Sequence, residues 1–134
     1  MKIIDQDELA YENDGSYTYE GEPFTGTARL YDEDGKILSE ASYVNGMQHG
    51  IARYWFPSGE LMSEENFVRN SSDGVSRVWY QNGKLKREMT IEHGICTRAK
   101  EWNENGDLIR DYVLPENDTM FEVLQLRRRS EKKD

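Results

Sequence analysis

The chain has 134 residues, 36% of them hydrophobic and 32% charged, with a formal net charge of −9. That length suits one domain, and the acid surplus weighs against nucleic acid and anionic lipid, whose binding rests on basic side chains. A single cysteine, Cys96, excludes an internal disulfide; the acidic start has no signal-peptide pattern and no apolar run spans a membrane, so the expected location is the cytoplasm.

Residues 1–25 read as a degenerate hairpin repeat that caps the sheet. Tyr11 and Gly15 keep the aromatic-to-glycine spacing of the later copies, Tyr17 stands where those have isoleucine or leucine, and Glu20 where they have a carboxylate. Terminal repeats are usually atypical. Acid is concentrated at this end: residues 1–35 hold ten acids and two bases, a net of −8, which leaves −1 for residues 36–134.

Four hairpin repeats follow in 26–114. The turn glycines Gly35, Gly59, Gly83 and Gly106 recur at spacings of 24, 24 and 23 residues. Four residues before each stands an aromatic (Tyr31, Trp55, Trp79, Trp102), two after each Ile37, Leu61, Leu85 or Leu108, and five after each a carboxylate (Glu40, Glu64, Glu88, Asp111). Self-similarity at a fixed period indicates a stacked architecture in which each unit buries its surface on its neighbours. Asp-Gly, Ser-Gly and Asn-Gly between β-type runs predict two-residue hairpin loops, with positive φ at both central residues. Such loops set Arg29 opposite Glu40, Arg53 opposite Glu64, Arg77 opposite Glu88 and Lys100 opposite Asp111. Opposed charges contribute roughly 0.2–1 kcal/mol per pair, so their main value is to fix register.

Strand alternation then predicts two unlike faces. One carries the four aromatics and the charge pairs. The other carries Ile37, Ala41, Tyr43, Leu61, Phe67, Leu85, Met89, Ile91, Leu108, Tyr112 and Leu114, with Leu61, Phe67, Leu85 and Ile91 buried. The links at 45–50, 69–74 and 93–98 are turns between hairpins. The expected fold class is mainly β: a single antiparallel meander of about five stacked hairpins with a C-terminal α-helix.

Residues 115–134 supply that capping helix and a basic tail. Pro115 stops the last strand, and Asp118 or Thr119 caps a helix whose apolar side is Met120, Phe121, Leu124 and Val123. The helix is expected to cover the open end or one face of the sheet and protect an unpaired edge, with 127–133 solvated.

YEGEPFTG (19–26), the recurring Tyr/Trp-x-x-x-Gly-x-Leu-x-x-Glu and YVNGMQHG (43–50) resemble the MORN-repeat family, in particular its bacterial variant, over 11–114. The third link is one residue shorter, and Arg98 stands where glycine is expected. The resemblance implies an interaction role without catalysis. Bacterial members are often antitoxins, or immunity proteins that sit beside polymorphic toxins; eukaryotic members are linked to membranes and scaffolding.

No P-loop, GxGxxG or GxSxG is present. His49 and His93 occupy matching links and read as structural turn residues, and Cys96 reads as a small buried hydrophobe that supplies no metal-ligand set. No catalytic residue, metal site or cofactor is expected. The tryptophan row has two readings: stacking between neighbouring hairpins, or lining a groove that grips a partner. The acidic end is a solvated surface or a patch that steers a basic partner inward. Charge and resemblance together point to an immunity or antitoxin protein that neutralises a cognate toxin by direct binding, the toxin being basic and nuclease-like. The alternative is a scaffold or adaptor that docks another protein, near a membrane or away from one. The candidate partner-binding residues are Glu12, Asp14, Glu20, Glu22, Asp32, Glu33, Asp34, Tyr31, Trp55, Trp79 and Trp102.

Overall fold

A computed structural model describes residues 2–132; Met1 and the last two residues of the expected basic tail, Lys133 and Asp134, lie outside the described residues. Strand β1 (Ile3–Asp5) leads through a 3-10 turn (Gln6–Glu8) into β2 (Ala10–Tyr11), β3 (Tyr17–Tyr19) and β4 (Glu22–Pro23). The repeats give β5 (Gly26–Tyr31), β6 (Ile37–Val44), β7 (Met47–Trp55), β8 (Leu61–Val68), the short β9 (Ser71–Ser72), β10 (Gly74–Trp79), β11 (Leu85–Glu92), β12 (Ile95–Trp102) and β13 (Leu108–Val113), followed by helix α1 (Thr119–Lys132). The main sheet runs in the order β1-β5-β6-β7-β8-β10-β11-β12-β13, and from β5 onward neighbours are antiparallel.

The repeats form the expected antiparallel meander from β5 to β13, and only the first 25 residues depart from a single antiparallel sheet. β1 pairs with β5 in parallel, and β2, β3 and β4 form a sheet of their own. The reason lies in Phe24. It turns inward and is buried with Ile4, Ala28 and Tyr43, which folds the first hairpin over the face of the sheet and leaves the β5 edge to β1.

The loops are distributed differently from the expectation. At each turn glycine the backbone repeats one pattern: Gly35 N–H donates to Asp32 O at 3.1 Å, and Asp32 N–H donates to Lys36 O at 2.8 Å. The same bonds close the turns at Gly15, Gly59, Gly83 and Gly106. Gly35 has φ +83°, while Asp34 is not left-handed. This is a three-residue loop, a type I turn closed by one left-handed residue. The two-residue turns with two left-handed residues sit at the links instead: Glu20-Gly21, Asn45-Gly46, Arg69-Asn70 and His93-Gly94. His49 accordingly lies within β7, not in a turn.

Register nonetheless places all four predicted charge pairs directly opposite one another. The three-residue loop offsets the strands by one, and a bulge just before each aromatic offsets them back. Between loop and bulge the offset persists, so Tyr31 faces Ile37, Trp55 faces Leu61, Trp79 faces Leu85 and Trp102 faces Leu108. Directly opposed residues share a face, and a one-residue slip moves a side chain to the other. The four aliphatics therefore join the aromatic row and leave the Ala41/Tyr43 face.

Packing is concentrated at the two ends. Ile4, Phe24, Ala28 and Tyr43 form one buried cluster, with Leu9, Tyr17, Tyr19 and Ala41 against it. Ile95, Leu114 and Leu124 form the other, with Phe121 and Val123. Leu61, Phe67, Leu85 and Ile91, expected in the core, are half-buried, because neither cluster reaches the middle hairpins.

Asp118 Oδ1 accepts the Met120 N–H at 2.8 Å and caps the helix. Leu124 is its inward anchor at 1% exposure, whereas Met120 is 42% exposed and off the apolar side. Arg127, Arg129, Ser130 and Glu131 are exposed, as expected of a solvated tail, yet several side chains reach back to the sheet: Arg127 donates to the His93 carbonyl, Arg128 pairs with Glu92, and Glu131 meets His93 Nε2 at 2.8 Å. The helix packs on the sheet at Ile95 and Leu114, while Leu108 and Ile109 of the outer strand β13 stay 51% and 64% exposed. No helix among the described residues is long and apolar enough to cross a membrane.

Candidate partner-binding surface

The charge pairs extend further than hairpin by hairpin. Glu40 also faces Arg53, Glu64 also faces Arg77, and Glu88 also faces Lys100. One continuous row thus crosses eight strands with alternating sign: Arg29, Glu40, Arg53, Glu64, Arg77, Glu88, Lys100, Asp111. The close contacts are Arg29–Glu40 at 2.9 Å, Arg53–Glu64 at 3.9 Å and Arg77–Glu88 at 2.9 Å, and Asp111 meets Arg98 at 3.7 Å. Hydrogen bonds to Tyr31 and then Glu40 hold the Arg29 guanidinium above its ordinary pKa. The row is partly exposed, and such pairs are worth about 0–1 kcal/mol each, so it specifies register more than it stabilises.

Beside it runs the aromatic row. Trp55, Trp79 and Trp102 are half-buried and Tyr31 is exposed. Each lies across from an aliphatic, so the surface alternates flat ring and branched chain along one rim. The ring–ring contacts found among the described residues, Tyr11–Tyr17, Tyr17–Tyr43, Tyr19–Phe24 and Phe24–Tyr43, all lie in the N-terminal cluster. Tryptophan stacking between hairpins is not among them; each ring instead faces its aliphatic partner across the hairpin.

The acidic candidates fall into two groups. Asp32, Glu33 and Asp34 lie at the turn closed by Gly35, where Asp32 Oδ1 accepts the N–H groups of Asp34 and Lys36, both at 2.9 Å. Glu12 and Asp14 sit at the other rim, because Gly15 O accepts a hydrogen bond from Asn70 and Tyr17 N–H donates to Gly46 O. The eight residues of β6 separate the rims, about 25 Å at strand rise. Glu12 accepts the Thr18 hydroxyl at 2.7 Å, and bonds from Ser16 lower the Asp14 pKa. Glu20 and Glu22 follow at the turn and strand after Tyr19, one three-residue strand away from Glu12 and Asp14. Acid and aromatic row meet at the β5 corner, where Asp5 and Asp7 share a shallow depression with Arg29 and Tyr31. Asp5 and Asp7 escaped sequence reasoning; only the parallel pairing of Asp5 with Arg29 brings them there.

The model of the MORN repeat variant matches residues 24–45, 48–69 and 72–93. Immunity protein YwqK of Bacillus subtilis (strain 168) is 56% identical over 108 residues, which cover 81% of this chain and 70% of that protein. The chain belongs to the MORN repeat variant family. Among solved structures, the crystal structure of TarM is similar at 15% identity and a TM-score of 0.43; the match takes in 68% of this chain, which spans 18% of that one.

The MORN units begin at 24, 48 and 72, so each ends on a link turn and carries one aromatic–aliphatic pair at its centre. Tyr31, Trp55, Trp79 and the Asp32–Glu33–Asp34 turn fall inside them. Trp102, with the whole β12–β13 hairpin, lies beyond the last MORN match, as do Glu12, Asp14, Glu20 and Glu22 before the first.

Proposed function

We propose that this MORN-repeat chain is an immunity protein, acting in the cytoplasm and without catalysis, that neutralises a cognate bacterial toxin by direct binding. The observation that carries this reading is the 56% identity to a protein named an immunity protein. We further propose that the toxin is basic and nuclease-like. Support for that lies in the charge: a net of −8 on residues 1–35 raises the encounter rate with a cationic surface. In this mechanism the β5 corner captures the toxin through Asp5, Asp7, Asp32, Glu33 and Asp34. The aromatic row, from Tyr31 through Trp55 and Trp79 to Trp102, then supplies the desolvated contact that slows release. Carboxylates placed where the toxin's substrate phosphates sit would block its active site.

Co-expression with the products of neighbouring genes is the direct test. A toxic product, rescued by this chain and recovered in a one-to-one complex with it, is the expected result. A chain that neither binds nor rescues overturns the immunity reading; a neutral or acidic toxin that does bind overturns only the charge mechanism.

A further inference from the structure

We propose that the pocket between the N-terminal strands and the alanine-lined face of the main sheet receives the ammonium group of a lysine side chain from the partner protein. The source of that lysine rests on the toxin-binding reading; the chemistry of the pocket does not.

Ala28 and Ala41 form the floor, directly opposite each other on β5 and β6. Their methyl side chains leave about 300 Å3 open, at the small end of ligand sites and suited to one side chain. Tyr11, Tyr17, Tyr43 and Tyr54 stand around it. The Tyr17 ring is tilted 52° from Tyr11 at 5.0 Å and 62° from Tyr43 at 5.1 Å between centroids. Rings tilted in this way wall a volume from several sides and offer no parallel slot. A planar guanidinium stacks flat on one ring, whereas a compact ammonium is attracted by several faces at once.

The remaining chemistry agrees. Gln6 and Gln48 line the pocket, and each carries an amide oxygen able to accept from an ammonium. Glu40 also lines the pocket, its carboxylate already held by Arg29 at 2.9 Å, and no lysine or arginine is itself among the lining residues. Burial pushes the Tyr43 hydroxyl up to about 12, which keeps that ring a neutral phenol. The acidic N-terminal half raises the local concentration of cations at the entrance.

The test uses n-butylammonium, which copies the end of a lysine side chain, against n-butanol, which lacks the charge. Both are titrated into the whole protein while tyrosine ring and alanine methyl resonances are followed. Saturable shifts at Tyr17, Tyr43, Tyr54, Ala28 and Ala41 are expected for the ammonium, with butanol at least about tenfold weaker if several rings contribute. Tyr54→Ala should weaken the ammonium about two- to fivefold, and Tyr54→Phe should restore it, because the attraction needs the ring and not the hydroxyl. Tyr54 is 37% exposed, and an unchanged backbone spectrum shows that the fold survives. Equal binding of butanol, or no effect of Tyr54→Ala, overturns the pocket. If butylammonium binds but Tyr54→Ala leaves toxin affinity unchanged, the partner's lysine is not the occupant. Toxin binding without butylammonium binding overturns the pocket and leaves the immunity reading intact; the reverse removes the immunity reading for that gene pair and the lysine assignment with it.

Discussion

Glu92 accepts two hydrogen bonds from Arg128, 2.7 Å from Nε and 2.6 Å from Nη2, and so fastens the last helix to the end of β11. That hydrogen-bonded partner holds the Glu92 carboxyl below its ordinary value. A depressed folded pKa contributes stability that is present above the unfolded carboxylate range, near 4.3, and lost as pH falls through the folded value. Arg128→Ala should therefore loosen the helix modestly at pH 7, as expected for a partly exposed pair. Amide exchange over 119–132 should separate variant from wild type at pH 7 and converge in strong acid. Equal protection at pH 7 would mean that the fork contributes nothing.

Gly26 has φ +149°, and a Cβ there would lie 2.4 Å from the Lys2 carbonyl and 2.9 Å from Phe24 Cζ. Two rigid neighbours leave no room to yield. Gly26→Ala should cost about 2 kcal/mol or more through strain and displaced packing, and should detach β1 from β5 first. Thermal unfolding together with exchange at Thr27, whose N–H donates to Lys2 O at 2.9 Å, checks both parts.

Leu124 and Leu85 make a matched pair. The first is 1% exposed in the C-terminal cluster, the second half-buried beside Trp79. Leu124→Ala should cost about 2–5 kcal/mol, the range for an enclosed leucine, and Leu85→Ala about 1 kcal/mol. Urea midpoints in the reverse order would show that the middle of the sheet is more enclosed than its geometry indicates.

Changing Asp32 to Asn, Glu33 to Gln and Asp34 to Asn together should slow association with a basic toxin and flatten its salt dependence. The Debye length falls from about 10 Å at 0.1 M salt to about 3 Å at 1 M. The fold should be unaffected, because asparagine already fills the capping role in the fourth hairpin: Asn103 Oδ1 accepts the N–H groups of Asn105 and Asp107 at 3.0 Å. Surface-binding kinetics at two salt concentrations read the effect, and an association rate indifferent to both changes removes the steering mechanism.

Trp79→Ala should act on the other rate. If the tryptophan is a contact hot spot, toxin dissociation should accelerate about thirtyfold or more, which corresponds to a loss of at least about 2 kcal/mol. Trp79→Ala must first be shown to remain folded by its unfolding midpoint, since Leu85 packs opposite the same ring. An unchanged dissociation rate would assign the row to folding alone.

The repeat, the hairpins and the charge register were legible because each is written in short-range spacing that recurs. The placement of Ile37, Leu61, Leu85 and Leu108 was not. It depends on two one-residue offsets, at the loop and at the bulge, which cancel at Arg29–Glu40 and so leave no trace in the pairing that supports the register. Asp-Gly and Asn-Gly serve a three-residue loop as well as a two-residue one, and local sequence does not separate them. The β5 corner and the tyrosine pocket were hidden for another reason. Both depend on how the first 25 residues fold back over the sheet, and that is decided by Phe24 and Ile4 finding Ala28, a contact with no periodic signature. Tyr54 did carry a signal: alternation sets it beside Ala52, facing away from Trp55.

The alternating charge row also governs how such a protein can change in length. Each 24-residue unit brings one arginine and one glutamate to the row, in the order its neighbours require. Duplicating or deleting a whole unit would leave every junction between opposite charges, so copy number is free to vary without a new interface being invented. Losing half a unit would set like charges side by side across the seam. The sheet is thus a ruler graduated in whole hairpins, and its length can be changed one graduation at a time.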